Sequence, residues 1–141
     1  MSSGILDELN RIGEGHLPGL LGVQILEAST GYIRSRLEVG RRHLAPNGYL
    51  HAATVVALAD TSCGYACRLA LPEGSSGFTT VELKANFIGT VRDGPIGCEG
   101  RLAHAGRTTQ VWDATVTDEA SRRVIALFRC TQLVLWPRPS P

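Results

Sequence analysis

The sequence of 141 residues predicts an α+β domain in which an antiparallel sheet of about six strands wraps one long central helix. Three observations predict this. The segment from His51 to about Leu71 is apolar on nearly every face of a helix and is closed by Pro72 and Gly74, so it must be covered on most sides. The segments after it alternate with period two, as strands do. Two more alternating segments, joined by a short turn, precede it.

Taken in order, residues 5–13 put Ile5, Leu9 and Ile12 on one face of a short helix, which the Gly-rich stretch that follows ends. Residues 21–28 and 32–39 read as strands. In the second, Ile33, Leu37 and Val39 alternate with Arg34, Arg36 and Glu38, and Ser29-Thr30-Gly31 makes the pair a hairpin. Pro46-Asn47-Gly48 is a turn before the long helix. Residues 78–88 set Val81, Leu83, Ala85 and Phe87 on one face and Thr80, Glu82, Lys84 and Asn86 on the other. Strands follow at about 96–104, 108–117 and 123–135, with turns at Arg92-Asp93-Gly94-Pro95, Ala105-Gly106-Arg107 and Asp118-Glu119-Ala120. The proline-rich tail, residues 136–141, is expected to stay outside the sheet and loose. The whole, residues 1–141, reads as a single domain. Only a sheet is large enough to cover the long helix, so it should curl around it, which is the hotdog arrangement.

Composition excludes several classes. A net charge of +1 without a block of Lys or Arg argues against a nucleic-acid or anionic-membrane partner. The N-terminus lacks a charged region followed by an apolar run, and the apolar stretch 52–71 carries Asp60 and Arg68; neither reads as a signal peptide or a membrane span. The expected location is cytoplasmic. Cys63, Cys67, Cys98 and Cys130 form no CxxC pair and read as small buried apolar residues in a reducing compartment. His16, His43, His51 and His104 match no metal-ligand spacing, so no metal is expected. GxSxG, P-loop and GxGxxG motifs are absent.

Asp60 is the sharpest chemical feature. Its helix neighbours at spacings of three and four are Val56, Ala57, Cys63 and Gly64, and none can pair with a carboxylate. Unpaired carboxylates on apolar helices concentrate at functional sites, although a backbone hydrogen bond or a solvent channel would also explain one. His51 opens the helix, and Ala52 beside it offers a free first-turn N–H that could stabilise an oxyanion; a polar loop His is the plainer reading. Thr80 could position a water or be an ordinary strand residue. Arg101, Arg107, Arg122 and Arg123 could hold phosphates or be scattered surface charge. His51 and Asp60 are nine residues apart, on opposite sides of an ideal helix and roughly 13 Å apart along it. They cannot meet within one chain, so a shared site requires at least a symmetric dimer.

The stretch Asn47-Gly48-Tyr49-Leu50-His51-Ala52-Ala53, with Asp60 nine residues after the His, resembles the PaaI-like hotdog thioesterases of phenylacetate degradation. Thr79 to Phe87 looks like that family's first strand after the central helix, Gly106-Arg107 sits at its usual turn, and Ala126 to Gln132 looks like its last strand. The resemblance covers about residues 20–135. It implies homotetramers built from dimers, with active sites at the dimer interface, hydrolysing aryl- or fatty-acyl-CoA. No metal or cofactor is implied, CoA being part of the substrate. By match, Asp60 is the nucleophile or the general base, Ala52 N–H binds the thioester carbonyl, His51 orients that region or assists the leaving thiolate, and Thr80 helps hold the water. Asp60 and Thr80 would come from one subunit, His51 and Ala52 from its partner. The family's usual His-Gly-Gly is His51-Ala52-Ala53 here, and its Asn or Gln six residues before the His is Ala45, for which nearby Asn47 is the candidate substitute. Two other readings remain at this point: a hydratase or dehydratase acting on acyl thioesters, and an acyl-CoA binding module without turnover.

Overall fold

The computed structural model describes residues 3–141. Helix α1 spans Ser3–Ile12 and the short α2 spans Leu17–Leu21. Strands β1 (Gln24–Ser29) and β2 (Tyr32–Val39) form the expected hairpin, and Gly31 takes a positive φ of 85° in its turn. A 3-10 turn at Arg41–His43 and a loop lead into α3, Ala52–Leu69. Strands β3 (Gly77–Phe87), β4 (Gly94–Ala105), β5 (Thr109–Asp118) and β6 (Val124–Leu135) complete one sheet in the order β1-β2-β4-β5-β6-β3, antiparallel throughout.

The sheet curls around α3, as its apolar surface demands. Val55, Leu58, Ala59, Cys63, Ala66 and Cys67 of the helix share one core with Ile33, Leu37, Ile96, Trp112, Val116 and Phe128 of the strands. Small side chains let helix and sheet approach closely. A Cβ at Gly100 on β4 would lie 2.8 Å from Ile33 Cγ2 and 3.5 Å from Cys63 Sγ. Gly100→Ala is therefore expected to lower unfolding free energy by about 1–3 kcal/mol in urea denaturation, the usual cost of overpacking.

The start of the domain differs from the sequence expectation. The strand expected from residue 21 begins at Gln24, because Leu17–Leu21 coil into α2, with Pro18 in its first turn and Gly22 closing it in the left-handed region. The tail is also less free than expected at its first residue. Trp136 donates from Nε1 to the Arg107 carbonyl, 3.0 Å away, and the Arg107 guanidinium lies 4.2 Å from the centre of its ring.

The largest correction concerns β3. Its pairing with β6 slips between Thr80 and Glu82, a β-bulge at Val81. Beyond the bulge, Leu83 and Ala85 pair with Cys130 and Phe128, while Glu82 and Lys84 pair with Thr131 and Arg129. Before it, Thr80 pairs with the buried Gln132 and Phe78 with the buried Val134. Thr80 therefore does not share a face with Glu82, Lys84 and Asn86. It lies on the inner side, with Phe78, whose ring would be 3.6 Å from a Cβ on Gly64 of α3.

Candidate active site

The start of α3 is built by a tight loop. Ala45 N–H donates to the Tyr49 carbonyl (2.7 Å) and Gly48 N–H to the Ala45 carbonyl (2.9 Å), with Gly48 at a φ of 87° that suits glycine. Asn47 Oδ1 accepts from Tyr49 N–H at 3.1 Å, so its carbonyl oxygen holds the turn. His51 is the N-cap, extended at φ −70° and ψ 134°, and its Nδ1 accepts from Ala53 N–H at 2.9 Å. In the neutral ring that bond leaves the proton on Nε2. Thr54 N–H turns back to the His51 carbonyl at 2.9 Å. Ala52 N–H alone of these three meets no acceptor among the described residues, with an 18-residue helix dipole behind it.

His43 anchors this arrangement, and nothing in the sequence pattern singled it out for the part. It is buried; its Nδ1 accepts from Gly40 N–H (2.8 Å), and its Nε2–H donates to the Leu21 carbonyl (2.7 Å). Its own carbonyl accepts from His51 N–H (3.0 Å) and the Thr54 hydroxyl (2.9 Å). The end of α2, the exit of β2 and the start of α3 are thus tied at one residue, the first two through its ring and the third through its backbone carbonyl. Beside His51 lies a groove of about 260 Å³, walled by Leu17, Leu21, Leu44, Ala53 and Ala57 and reached by Arg42. Ala52 lines a second hollow, of about 200 Å³, with Leu50, Val55 and Phe87. Asp60 lines neither.

Asp60 is half-buried in the middle of α3, and its Oδ1 is fully buried with no hydrogen-bond partner among the described residues. Burial pushes its carboxyl above the usual aspartate range, and no neighbouring charge contributes. The Thr80 hydroxyl lies within hydrogen-bonding reach of that carboxyl. Its proton goes instead to Gln132 Oε1, 2.8 Å away. The structure therefore brings Asp60 and Thr80 together, and His51, Ala52 and Asn47 together at the helix start, in separate places within one chain. Burial raises the Cys67 and Cys98 thiols to about 12. The hydrogen bond between Cys63 and Cys130 pushes Cys63 up and holds the buried Cys130 below a free thiol. No group of three or more His, Cys, Asp and Glu side chains is arranged to hold a metal among the described residues. The arginines considered for phosphates divide: Arg107 covers Trp136, Arg101 covers Tyr32 at 4.7 Å, and Arg122 and Arg123 flank the β5–β6 turn.

A six-stranded antiparallel sheet around a single helix is the hotdog fold, and a carboxylate on that helix with a free amide at its start is equipment for acyl transfer. The chain belongs to the thioesterase superfamily, whose family model matches residues 47–125, and it is a thioester hydrolase. It is 29% identical over 120 residues to the 1,4-dihydroxy-2-naphthoyl-CoA hydrolase of Escherichia coli, covering 83% of this chain and 85% of that one. The crystal structure of the thioesterase HI1161 from Haemophilus influenzae superposes with a TM-score of 0.86 at 28% identity, covering 92% of this chain and 90% of that one. The Escherichia coli PaaI protein shares the fold, with a TM-score of 0.80 at 19% identity over 94% of this chain and 95% of its own. No helix among the described residues is long and apolar enough to cross a membrane.

Proposed function

We propose that the chain hydrolyses an aryl- or fatty-acyl-CoA to the free acid and CoA at a site shared by two subunits, with Asp60 as its essential carboxylate. The observation that carries this reading is the buried, unpartnered oxygen of Asp60 beside Thr80, on a helix whose far end offers the free Ala52 N–H. In the reaction, Asp60 takes a proton from water, or attacks the carbonyl carbon itself. The carbonyl π electrons move onto oxygen, and the oxyanion takes a hydrogen bond from Ala52 N–H of the partner subunit. Collapse of the tetrahedral centre breaks the C–S bond and releases the CoA thiolate, which takes its proton from the protonated Asp60 on the water route or from the Nε2–H of His51; on the direct route collapse leaves an aspartyl anhydride, which a water then hydrolyses to the free acid and Asp60. Protein groups suffice for each step; CoA enters as substrate.

The dimer is supported by β3. It is an edge strand of 11 residues with an unpaired side, and Val81 (56%), Leu83 (40%) and Phe87 (48%) are exposed along it. A long apolar edge of this kind calls for a partner strand. A second copy at this edge lies beside Thr80 and therefore near Asp60, which is what a shared site requires. Pairing of such dimers into a homotetramer is part of the proposal. Asn47 belongs to the partner's half, where its Nδ2 donors are not used in the turn.

The test is release of free thiol from a panel of aromatic and aliphatic acyl-CoAs. Turnover names the preferred acyl class; no cleavage of any of them defeats the reading. The pH dependence is a second check. Asp60 acts as the anion, and burial raises its pKa. Activity must therefore be lost as pH falls through that raised value. The acid limb of kcat/KM is expected above the ordinary aspartate range of about 4. A limb at or below that range removes Asp60 from the role.

A further inference from the structure

Three polar side chains cross the inner face of the sheet in register: Thr80 on β3, Gln132 on β6 and Gln110 on β5. Both glutamines are fully buried. Gln110 is occupied, its Nε2 donating to the Ala70 carbonyl at the end of α3 and its Oε1 accepting from Trp112 Nε1, each at 2.9 Å. Gln132 faces the other way. Its Nε2 donates to Cys130 Sγ at 3.5 Å, and its Oε1 accepts the Thr80 hydroxyl proton at 2.8 Å.

A threonine hydroxyl has one proton. With that proton on Gln132, Thr80 has only lone pairs to offer the Asp60 carboxyl beside it, whose Oδ1 has no hydrogen-bond partner among the described residues. Two acceptors facing each other call for a donor between them, and a water is the smallest molecule with two protons to give.

We propose that Gln132 is a positioning residue for hydrolysis: by taking the Thr80 hydroxyl proton it makes Thr80 an acceptor, so that a water between Thr80 and Asp60 donates one proton to each and keeps its lone pairs for the thioester carbon. The inference rests on the hydrolase reading above and chooses, within it, the general-base role for Asp60. In the step itself, the water O–H bond toward Asp60 breaks and its proton goes to the carboxylate. The oxygen forms the new C–O bond, and the carbonyl π pair moves to the oxyanion. The water's second proton stays on the oxygen, still donated to Thr80. No other reactant is required.

The titratable groups facing Asp60 are Cys63, one turn along α3, and Cys130 on β6. They hydrogen-bond each other, and Cys63 is pushed well above a free thiol. The same hydrogen bond holds Cys130 below a free thiol, so the limb is assigned to Asp60 by the carbon-13 signal of the aspartate itself.

The experiment compares wild type with Gln132→Met, Thr80→Val and the double variant, reading kcat, KM, the acid limb of kcat, and Asp60 ionisation directly by carbon-13 NMR of labelled aspartate. Gln132→Met frees the Thr80 proton to donate to the ionised Asp60. It is expected to lower kcat about tenfold or more with KM little changed, and to move the Asp60 midpoint to lower pH, because a hydrogen bond to the charged form favours it. Thr80→Val is expected to lower kcat but leave the midpoint where it was, since the wild-type hydroxyl does not donate to Asp60. In the Thr80→Val background, Gln132→Met is expected to move neither quantity. The proposal is overturned if Gln132→Met leaves the midpoint in place, or shifts it equally without the Thr80 hydroxyl. It is also overturned if Thr80→Val alone raises the midpoint. The last result requires no change at a fully buried residue, so it decides the matter should Gln132→Met not fold. Absence of thiol release by the wild type defeats the hydrolase reading, while the NMR midpoints still test the hydrogen-bond arrangement.

Discussion

Asp60→Asn is expected to reduce acyl-CoA cleavage at least about a hundredfold while leaving the protein no less stable than wild type at neutral pH. Both halves follow from the same geometry. The amide keeps the size of the carboxyl and removes the base, so a loss of turnover cannot be assigned to a cavity. The folded state holds the Asp60 proton more tightly than the unfolded chain does, because burial raises its pKa. Stability is therefore lost as pH rises from the unfolded value through the folded one, and at pH 7 the ionised carboxylate opposes folding. Asparagine removes that penalty. Thiol release and thermal unfolding, measured on the same preparation, separate the outcomes. Retained turnover eliminates Asp60 as the acting group. Lost turnover with a lowered Tm recasts it as a structural residue.

The other large effect comes from Ala52→Pro. Position 52 is the first residue of α3, where proline is favoured and its missing N–H breaks no helical bond. His51 before it already has the extended backbone a following proline demands, φ −70° and ψ 134°. The substitution thus deletes the proposed oxyanion donor and little else. It should lower kcat about a hundred- to a thousandfold, the usual effect of losing one such donor. If Ala52→Pro folds and turns over normally, the oxyanion is held elsewhere. The same variant tests the shared site. Ala52→Pro and Asp60→Asn subunits, each inactive alone, should on mixing form heterodimers with one intact site of two. Statistical exchange gives about a quarter of wild-type activity. Sites contained within one chain would recover nothing.

The central helix and the four strands after it are legible because each pattern runs long and turn residues separate them. Asp60 stands out for a different reason: with only Val56, Ala57, Cys63 and Gly64 beside it on the helix, its carboxylate has no charged partner there. Less visible were features that depend on one residue or on distant chain. Helix α2 is five residues long, and its apolar Leu17, Leu20 and Leu21 suit a strand start as well as a helix. His43 lies among arginines, and only the fold brings the Leu21 carbonyl to its ring. Gln132 carried a usable signal, since it continues the inward phase of Phe128 and Cys130, but its partner Thr80 was assigned to the opposite face. One extra residue at Val81 misleads any reading by strict alternation.

That extra residue has a meaning for how the site could have arisen. A substitution changes one side chain in place; an insertion into a strand re-deals every side chain on one flank while the other flank keeps its hand. At Val81 the downstream half of β3 retains its pairing with β6, whereas the upstream half is turned over, carrying Phe78 under the helix and Thr80 to the carboxylate. Length, and not only spelling, thus decides which side chain stands beside Asp60, and comparisons that slide a gap by one position at this strand would put the wrong residue there.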